Sequence, residues 1–144
     1  MNIQGYLDPD GRAVVRLRIR GAGDWRVLAC EIDTGAKPEL VTSLDWFQEL
    51  DALSDDIPYE LTLADGRVIA AMSALVEVEW LGEIRFASMM YPMAQADTAP
   101  FLPPGRRGPN TNALLGRLLL ANCRLTIDYG RASVTVEPSG SSPA

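Results

Sequence analysis

The sequence predicts an all-β fold: a single closed domain carrying one or two short helices. Three observations predict it. Ala13, Val15, Leu17 and Ile19 alternate with Val14, Arg16, Arg18 and Arg20, the period-two pattern of a half-buried strand. Val68, Ala70, Met72, Ala74, Val76, Val78 and Trp80 repeat that pattern over a longer run, with Glu77 and Glu79 on the opposite face. Between such runs stand short turn signals, Gly21-Ala22-Gly23-Asp24, Asp65-Gly66, Leu81-Gly82-Glu83 and Tyr129-Gly130, at the separations of hairpins.

The elements follow in order. Behind the first alternating strand, the turn at 21–24 leads into a strand from Trp25 to Ile32, then the turn at Asp33 and a short extended piece around Glu39–Val41. Thr42 or Ser43 is placed to cap a short helix, with Leu44, Phe47, Leu50 and Leu53 at helical spacing behind it. Pro58 ends that segment before a strand over Tyr59–Leu63, and Ala64-Asp65-Gly66-Arg67 is the sequence of a type I′ hairpin turn. Ile84, Phe86 and Ala87–Met90 form the next strand, where Met89, Met90 and Met93 read as core filling or loop anchors. Residues 95–112 hold Pro100, Pro103, Pro104, Gly105, Gly108 and Pro109, and read as a long loop. Ala113-Leu114-Leu115-Gly116 restores order and leads into a helical turn through Leu120. Leu125–Asp128 and Ser133–Glu137 form a last hairpin. The domain spans 1–137, and 138–144 reads as a flexible polar tail.

Composition removes several function classes. The 144 residues are 47% hydrophobic and 22% charged, ordinary for one globular domain with a real core. A net charge of −6 speaks against a nucleic-acid partner, and the row Arg16, Arg18, Arg20 reads as a solvated sheet face. Met1-Asn2-Ile3-Gln4-Gly5 lacks the pattern of a signal peptide, and Arg117 interrupts the apolar run Leu114–Leu120. The expectation is a cytoplasmic protein with no membrane partner. Histidine is absent, which excludes Ser-His-Asp and Cys-His catalysis and most zinc chemistry. Cys30 and Cys123 have no metal-like spacing and read as buried free thiols.

Chemistry concentrates at Asp33-Thr34-Gly35-Ala36, which follows the apolar run Val27–Ile32. An acid at the mouth of a buried strand, with a hydroxyl residue and a glycine behind it, can hold a carboxylate on a tight turn. Glycine there permits positive φ, and threonine can hydrogen-bond its neighbours. There is one such tetrapeptide and no internal repeat of it. Each signature has an ordinary reading taken alone. Asp-Thr-Gly can be a plain turn, Asp65-Gly66 a plain hairpin, and Leu114-Leu115-Gly116 a core strand meeting a turn.

Taken in order, Asp33-Thr34-Gly35-Ala36, Asp65-Gly66 and Leu114-Leu115-Gly116-Arg117 resemble the retropepsin-like aspartic proteases, single-domain relatives of pepsin found in retroviruses and bacteria. The resemblance covers roughly Val14 to Val136. It implies a closed acid-protease barrel, in which Asp33 is catalytic and Thr34 locks two such loops together across a dimer. It also implies that Asp65 and Gly66 form the flap tip, and that Leu114, Leu115, Gly116 and Arg117 support the active-site loop. Chain ends in this family commonly join a dimer sheet, here Asn2–Leu7 and Ser133–Glu137. The implied activity is cleavage of an extended peptide by a homodimer, one Asp33 from each chain, with no metal or cofactor.

Lys37 departs from the family pattern, which has Ser, Thr or Asp at that place. A lysine near Asp33 would favour the ionised carboxylate; one pointing outward would contact substrate or nothing. Retroviral members pair the arginine after the later glycine with an acid at this place, so Arg117 and Lys37 cannot form that pair. The alternative function is a catalytically inactive dimerisation or peptide-binding module of the same fold. For the 95–112 loop the readings are a tolerated surface insertion, the one favoured, or a substrate-shaping or autoinhibitory segment.

Overall fold

The alternation in the first long strand decides where the core lies. In β2 (Ala13–Arg20), Val15, Leu17 and Ile19 are buried, whereas Arg16 and Arg18 are exposed. The computed structural model describes residues 1–62, 65–94, 101–108 and 110–140. Around β2 it arranges β1 (Ile3–Leu7), β3 (Arg26–Ile32), β4 (Leu40–Val41), β5 (Tyr59–Thr62), β6 (Val68–Trp80), β7 (Glu83–Pro92), β8 (Ala113–Leu115), β9 (Cys123–Asp128) and β10 (Ser133–Pro138). One helix, α1 (Leu44–Leu50), occurs among the described residues.

The strands form one sheet in the order β5-β6-β7-β4-β8-β3-β2-β1-β10-β9. A further pairing of β6 with β2, through Ile19↔Val78 and Arg20↔Glu77, closes six of them into a barrel. The barrel interior is filled by Val15, Leu17 and Ile19 with Leu28, Cys30, Val76, Val78, Met89 and Leu115. Burial of this kind supplies most of the driving force for folding, about 25 cal/mol for each Å² of apolar surface removed from water. The fold class read from the alternation is thus a mostly β, closed, single domain.

The arginine row on β2 is a paired face. Arg18 meets Glu79 at 2.6 Å and Arg20 meets Glu77 at 3.3 Å, both across the seam that closes the barrel. Both guanidinium groups also lie over the Trp25 ring, at 5.2 and 4.8 Å, and Arg16 lies over Tyr6. Exposed pairs are each worth little, at most about 1 kcal/mol, so they register the seam more than they stabilise it.

Four local expectations change. The buried parity of β6 switches midway: Ala74, Val76, Val78 and Trp80 face the barrel core, but Val68 and Ala70 are exposed, and Ala71 and Ser73 are buried instead. The β6–β7 register is unbroken from Ala71↔Pro92 to Trp80↔Glu83, so no bulge causes the switch. The outer face of the hairpin is covered at that end by a second cluster, Val41, Leu61, Ala71 and Met90. Secondly, Asp51 ends α1 in the left-handed conformation (φ 52), so Leu53 falls beyond the helix and is exposed. Ser43 is the N-cap, accepting from the Trp46 N–H, and Trp46, Phe47 and Leu50 carry the buried face. Thirdly, the segment after Gly116 forms turns where a helical turn was expected. Finally, Met93 is exposed, and the last strand runs through Pro138, with the Ser139 N–H donating to the Asn122 carbonyl. Of the tail, residues 141–144 lie outside the described residues.

The two chain ends pair with each other. β1 lies between β2 and β10, and β10 between β1 and β9, so both have a neighbour on each side within the chain. The outer edge of β9 is the open one at that end of the sheet. The Leu81–Gly82 turn shows the I′ geometry, with φ of 52 and 85 at its two central residues and Trp80 paired to Glu83. No helix among the described residues is long and apolar enough to cross a membrane. Cys30 is buried and Cys123 half-buried, both free, and burial pushes the Cys30 thiol up to about 12.

The turn joining β1 to β2 depends on Asp8. Its Oδ1 accepts the Asp10 and Arg12 N–H groups, both at 2.9 Å, and its Oδ2 accepts Arg12 Nε at 2.8 Å. Burial raises the Asp8 carboxyl, but the Arg12 hydrogen bonds and charge outweigh it and hold the group below its usual 3.8. Its contribution is therefore present above that value and lost as pH falls through the depressed one. Asp8→Ala is expected to cost about 1–2 kcal/mol at neutral pH. Urea unfolding should show the difference from wild type shrinking once both proteins are taken below the carboxylate range.

Candidate active site

A crossing of three strands positions Asp33. β8 runs parallel to β3 through Cys30↔Ala113, Glu31↔Leu114 and Ile32↔Leu115, and antiparallel to β4 through Leu40↔Leu115 and Val41↔Leu114. β8 thus lies between two strands that are consecutive in the chain. Residues 33–39 must arch over its end to connect them. Asn112 sets the start of β8: its N–H donates to the Ala29 carbonyl, its Oδ1 accepts the Ala29 N–H, and its carbonyl accepts the Thr42 hydroxyl.

The arch is held mainly by backbone. The Asp33 N–H donates to the Leu115 carbonyl at 2.9 Å, and the Ala36 N–H to the Asp33 carbonyl at 3.1 Å. From the other side, the N–H groups of Gly116, Arg117 and Leu118 donate to the carbonyls of Glu39, Ala36 and Lys37 at 3.0, 2.7 and 3.2 Å. Gly116 is buried, and a Cβ there would collide with the Pro38 carbonyl oxygen and come within 2.7 Å of that of Ala36. Glycine is required at 116 because two backbones touch.

Asp33 is half-buried, and its Oδ1 accepts the Gly35 N–H at 3.0 Å. No residue from 33 to 36 has a positive φ, so Gly35 does not serve the turn through left-handed freedom. It lies close beneath the carboxylate instead, where an added Cβ would stand 3.3 Å from Asp33 Oδ1. Thr34 is exposed, and its hydroxyl has no hydrogen-bond partner among the described residues. Upstream, Glu31 pairs with Arg12 at 3.5 Å. Partial burial holds its carboxyl above the usual range, Arg12 opposes that shift, and the charges of Asp33 and Asp8 add to it.

Beyond the arch, Lys37 makes no ion pair among the described residues, with Asp33 or with any other acid. It lines a cleft of about 340 Å³ with Glu39, Leu61, Ser88, Met90 and Leu118, to which β5 also contributes Glu60 and Thr62. Arg117 is likewise exposed and makes no ion pair there. Glu39 was not singled out by the sequence, yet its Oε1 accepts the Ser88 N–H and its Oε2 accepts Arg85 Nη2, both at 2.8 Å. It ties the end of the arch to β7. No local pattern in the sequence marks that contact, because Glu39 and Arg85 meet only once β4 lies beside β7.

Strands β5 and β6 form the expected hairpin, but not with the expected type I′ turn, which needs a positive φ at both Asp65 and Gly66: Gly66 has one and Asp65 does not. Its described ladder ends at Thr62↔Val68, and residues 63 and 64 lie outside the described residues. Gly66 has φ 87, and Asp65 folds back on Arg67, Oδ1 accepting its N–H at 3.0 Å and Oδ2 its Nε at 2.8 Å. Those hydrogen bonds hold the Asp65 carboxyl below its usual range. The structure brings Asp33, Ala36, Lys37 and the Leu115–Leu118 segment together; Asp65 and Gly66 are not among the cleft-lining residues.

Of the 95–112 loop, residues 95–100 and 109 lie outside the described residues. The remainder has no strand or helix but is built into the core. The Leu102 carbonyl accepts Trp46 Nε1 at 2.8 Å and Asn112 Nδ2 at 2.9 Å, and Phe101 packs on the second cluster. No group of three or more potential metal ligands occurs among the described residues.

Gly116→Ala should separate the arch from β8 at a cost of about 3 kcal/mol, readable as a lower urea midpoint. An unchanged midpoint would show that the backbone contact at 116 is not tight. Compared with known proteins, the chain matches no protein-family model and no curated protein.

Proposed function

We propose that the protein is a homodimeric aspartic endopeptidase of the retropepsin-like type, in which Asp33 of each copy forms half of the catalytic pair. The observation that supports this most is the arch itself. The carbonyls of Asp33, Ala36, Lys37 and Glu39 are bonded within the chain, while the side chains of Asp33 and Thr34 are half-buried and exposed respectively. One carboxylate cannot act as both base and acid in a single hydrolytic step, and the chain has one such arch. A second copy related by a two-fold axis supplies the other.

Two carboxyl groups within hydrogen-bond reach share one proton, because both cannot ionise readily together. The ionised member takes a proton from a water whose oxygen attacks the scissile carbonyl carbon. The protonated member donates to the carbonyl oxygen. Collapse of the tetrahedral intermediate breaks the C–N bond as a proton passes to the nitrogen, and the amine leaves. The Thr34 hydroxyl, without a hydrogen-bond partner among the described residues, suits a contact between the two arches. The chain ends Asn2–Leu7 and Ser133–Glu137, expected in a subunit sheet, each have a strand on both sides within the chain, so the open edge of β9 is the one left at that end of the sheet for such a pairing. The β5–β6 hairpin would cover an extended peptide and exclude water.

Asp33→Asn is expected to lower peptidase activity by at least about a hundredfold while leaving the dimer intact in sedimentation equilibrium. Wild-type specific activity should fall on dilution below the dimer dissociation constant. Activity unaffected by Asp33→Asn would overturn the assignment. A dimer that binds peptides and cleaves none across acidic to neutral pH would identify an inactive peptide-binding module.

A further inference from the structure

We propose that a second cleft, where the long loop meets β1, β2 and β3, binds a phosphate monoester through Arg16, Arg106, Arg107 and the Thr111 hydroxyl. Among the described residues, Arg16, Arg106, Arg107 and Arg117 make no ion pair, whereas every other arginine does. Three of those four line this one cleft of about 240 Å³. In a chain with 19 acids against 13 bases, an arginine without an acid is the exception. Three of them in one place form a local field opposite to that of the whole protein, suited to an anion from outside the chain.

The cleft also has an acid, Asp8, which is already bonded. Its side chain is 6% exposed, and its oxygens accept the Asp10 and Arg12 N–H groups and Arg12 Nε. Arg12 matches its charge and also pairs with Asp10 and Glu31, neither of which lines the cleft. The Arg16 guanidinium lies 5.0 Å over the ring of Tyr6, itself part of the lining. Arg106 and Arg107 stand on a loop closed at its base, where the Leu102 N–H donates to the Thr111 carbonyl at 2.8 Å and Asn112 is bonded to Ala29. Within it the Arg106 N–H donates to the Pro103 carbonyl, and Gly108 folds back until an added Cβ would stand 3.3 Å from Leu102 Cδ1. Thr111 is 7% exposed and lines the cleft, yet its hydroxyl makes no hydrogen bond among the described residues. No buried side-chain oxygen or nitrogen there is sealed off without a partner, so this hydroxyl opens to the cleft. A buried hydroxyl is costly unless a partner is supplied to it.

Arginine forks bind carboxylate or phosphate, and here charge and size decide between them. A carboxylate offers one charge and two oxygens to three cations and a hydroxyl. A phosphate monoester carries about −1.5 to −2 at neutral pH and three acceptor oxygens, the closer match. The cleft is smaller than the roughly 300–1,000 Å³ that encloses larger ligands, so it suits the phosphate and a short stem. A nucleic-acid backbone would bring its further phosphates against a protein of net charge −6. The ester is then either a small free phosphate or a phosphorylated side chain of another protein.

Calorimetric titration of the full chain with glycerol phosphate and with a short phosphoserine peptide, each beside its phosphate-free counterpart, tests the site. The phosphate forms should bind and their counterparts should not. Arg16→Ala and Arg106→Ala/Arg107→Ala should each weaken binding about tenfold or more without moving the urea midpoint. Thr111→Val should also weaken it, with Thr111→Ser restoring it, whereas Arg117→Ala, outside the cleft, should leave it unchanged. Equal affinity for the two esters would identify a small free phosphate, and tighter binding of the peptide a phosphorylated protein. Binding of neither ester, or binding that survives the loss of Arg106 and Arg107, would overturn the proposal. So would tighter binding of a single-stranded oligonucleotide that is lost in the same variants.

Discussion

Backbone-to-backbone contact at Gly116 is the constraint on which the rest of the structure depends. A strand of three residues, β8, is wedged between β3 and β4, and the chain linking those two must pass over its end. The passage is possible because position 116 offers no side chain. Once the two backbones meet, the carbonyls of Ala36, Lys37 and Glu39 find N–H partners from residues 116–118. A buried backbone group left without a partner is expensive, so this mutual satisfaction makes a sharp arch stable. The conformation of Asp33 follows from it, since its own N–H is bonded to Leu115.

The barrel and the second cluster divide the labour around that arch. The barrel core anchors β3 and β8 from inside through Leu28, Cys30 and Leu115. Val41, Leu61, Ala71 and Met90, from β4, β5, β6 and β7, form the second cluster with Leu114 of β8 packed against it, and seat the β5–β6 hairpin. Because β6 serves the first cluster in one half and the second in the other, a single strand carries the hairpin from the core to the cleft. The second cluster is small, with four buried residues, so the hairpin is held by far less apolar contact than the barrel is. Elements with few buried contacts are those that open at low free energy.

Local signals in the sequence carried much of this, and non-local ones did not. The alternation of β2, the Ser43 cap and the Leu81–Gly82 turn are each set by residues adjacent in the chain, so their chemistry is readable there. Asp33 and Leu114–Arg117 stood out as motifs, and the structure joins them through backbone bonds that no spacing rule specifies. The long-range bonds of Asn112, Thr42 and Glu39 were missed because each joins residues far apart in sequence. Asn112 sits in a stretch whose composition says only loop, yet it bonds Ala29 twice through its backbone and side chain. The β6 parity switch was equally hidden. An unbroken apolar alternation cannot show which face a later segment will cover.

On the dimeric reading, the economy of the arch has a further consequence. A site divided between two chains on a two-fold axis is displaced twice by any error in one loop, once from each side. Loops are ordinarily the mobile parts of a fold. Here the loop has its carbonyls at 33, 36, 37 and 39 bonded within its own chain. The groups left to meet a partner are the side chains at the crest, the Asp33 carboxylate and the Thr34 hydroxyl. A half-site of this kind is preorganised before association, so dimerisation need order little backbone, and the free energy of subunit contact is not consumed in shaping the loop. The same argument explains why a charged residue as close as Lys37 is compatible with the arch. Its carbonyl is fixed by Leu118, so its side chain is free to face the cleft without moving the acid four residues before it.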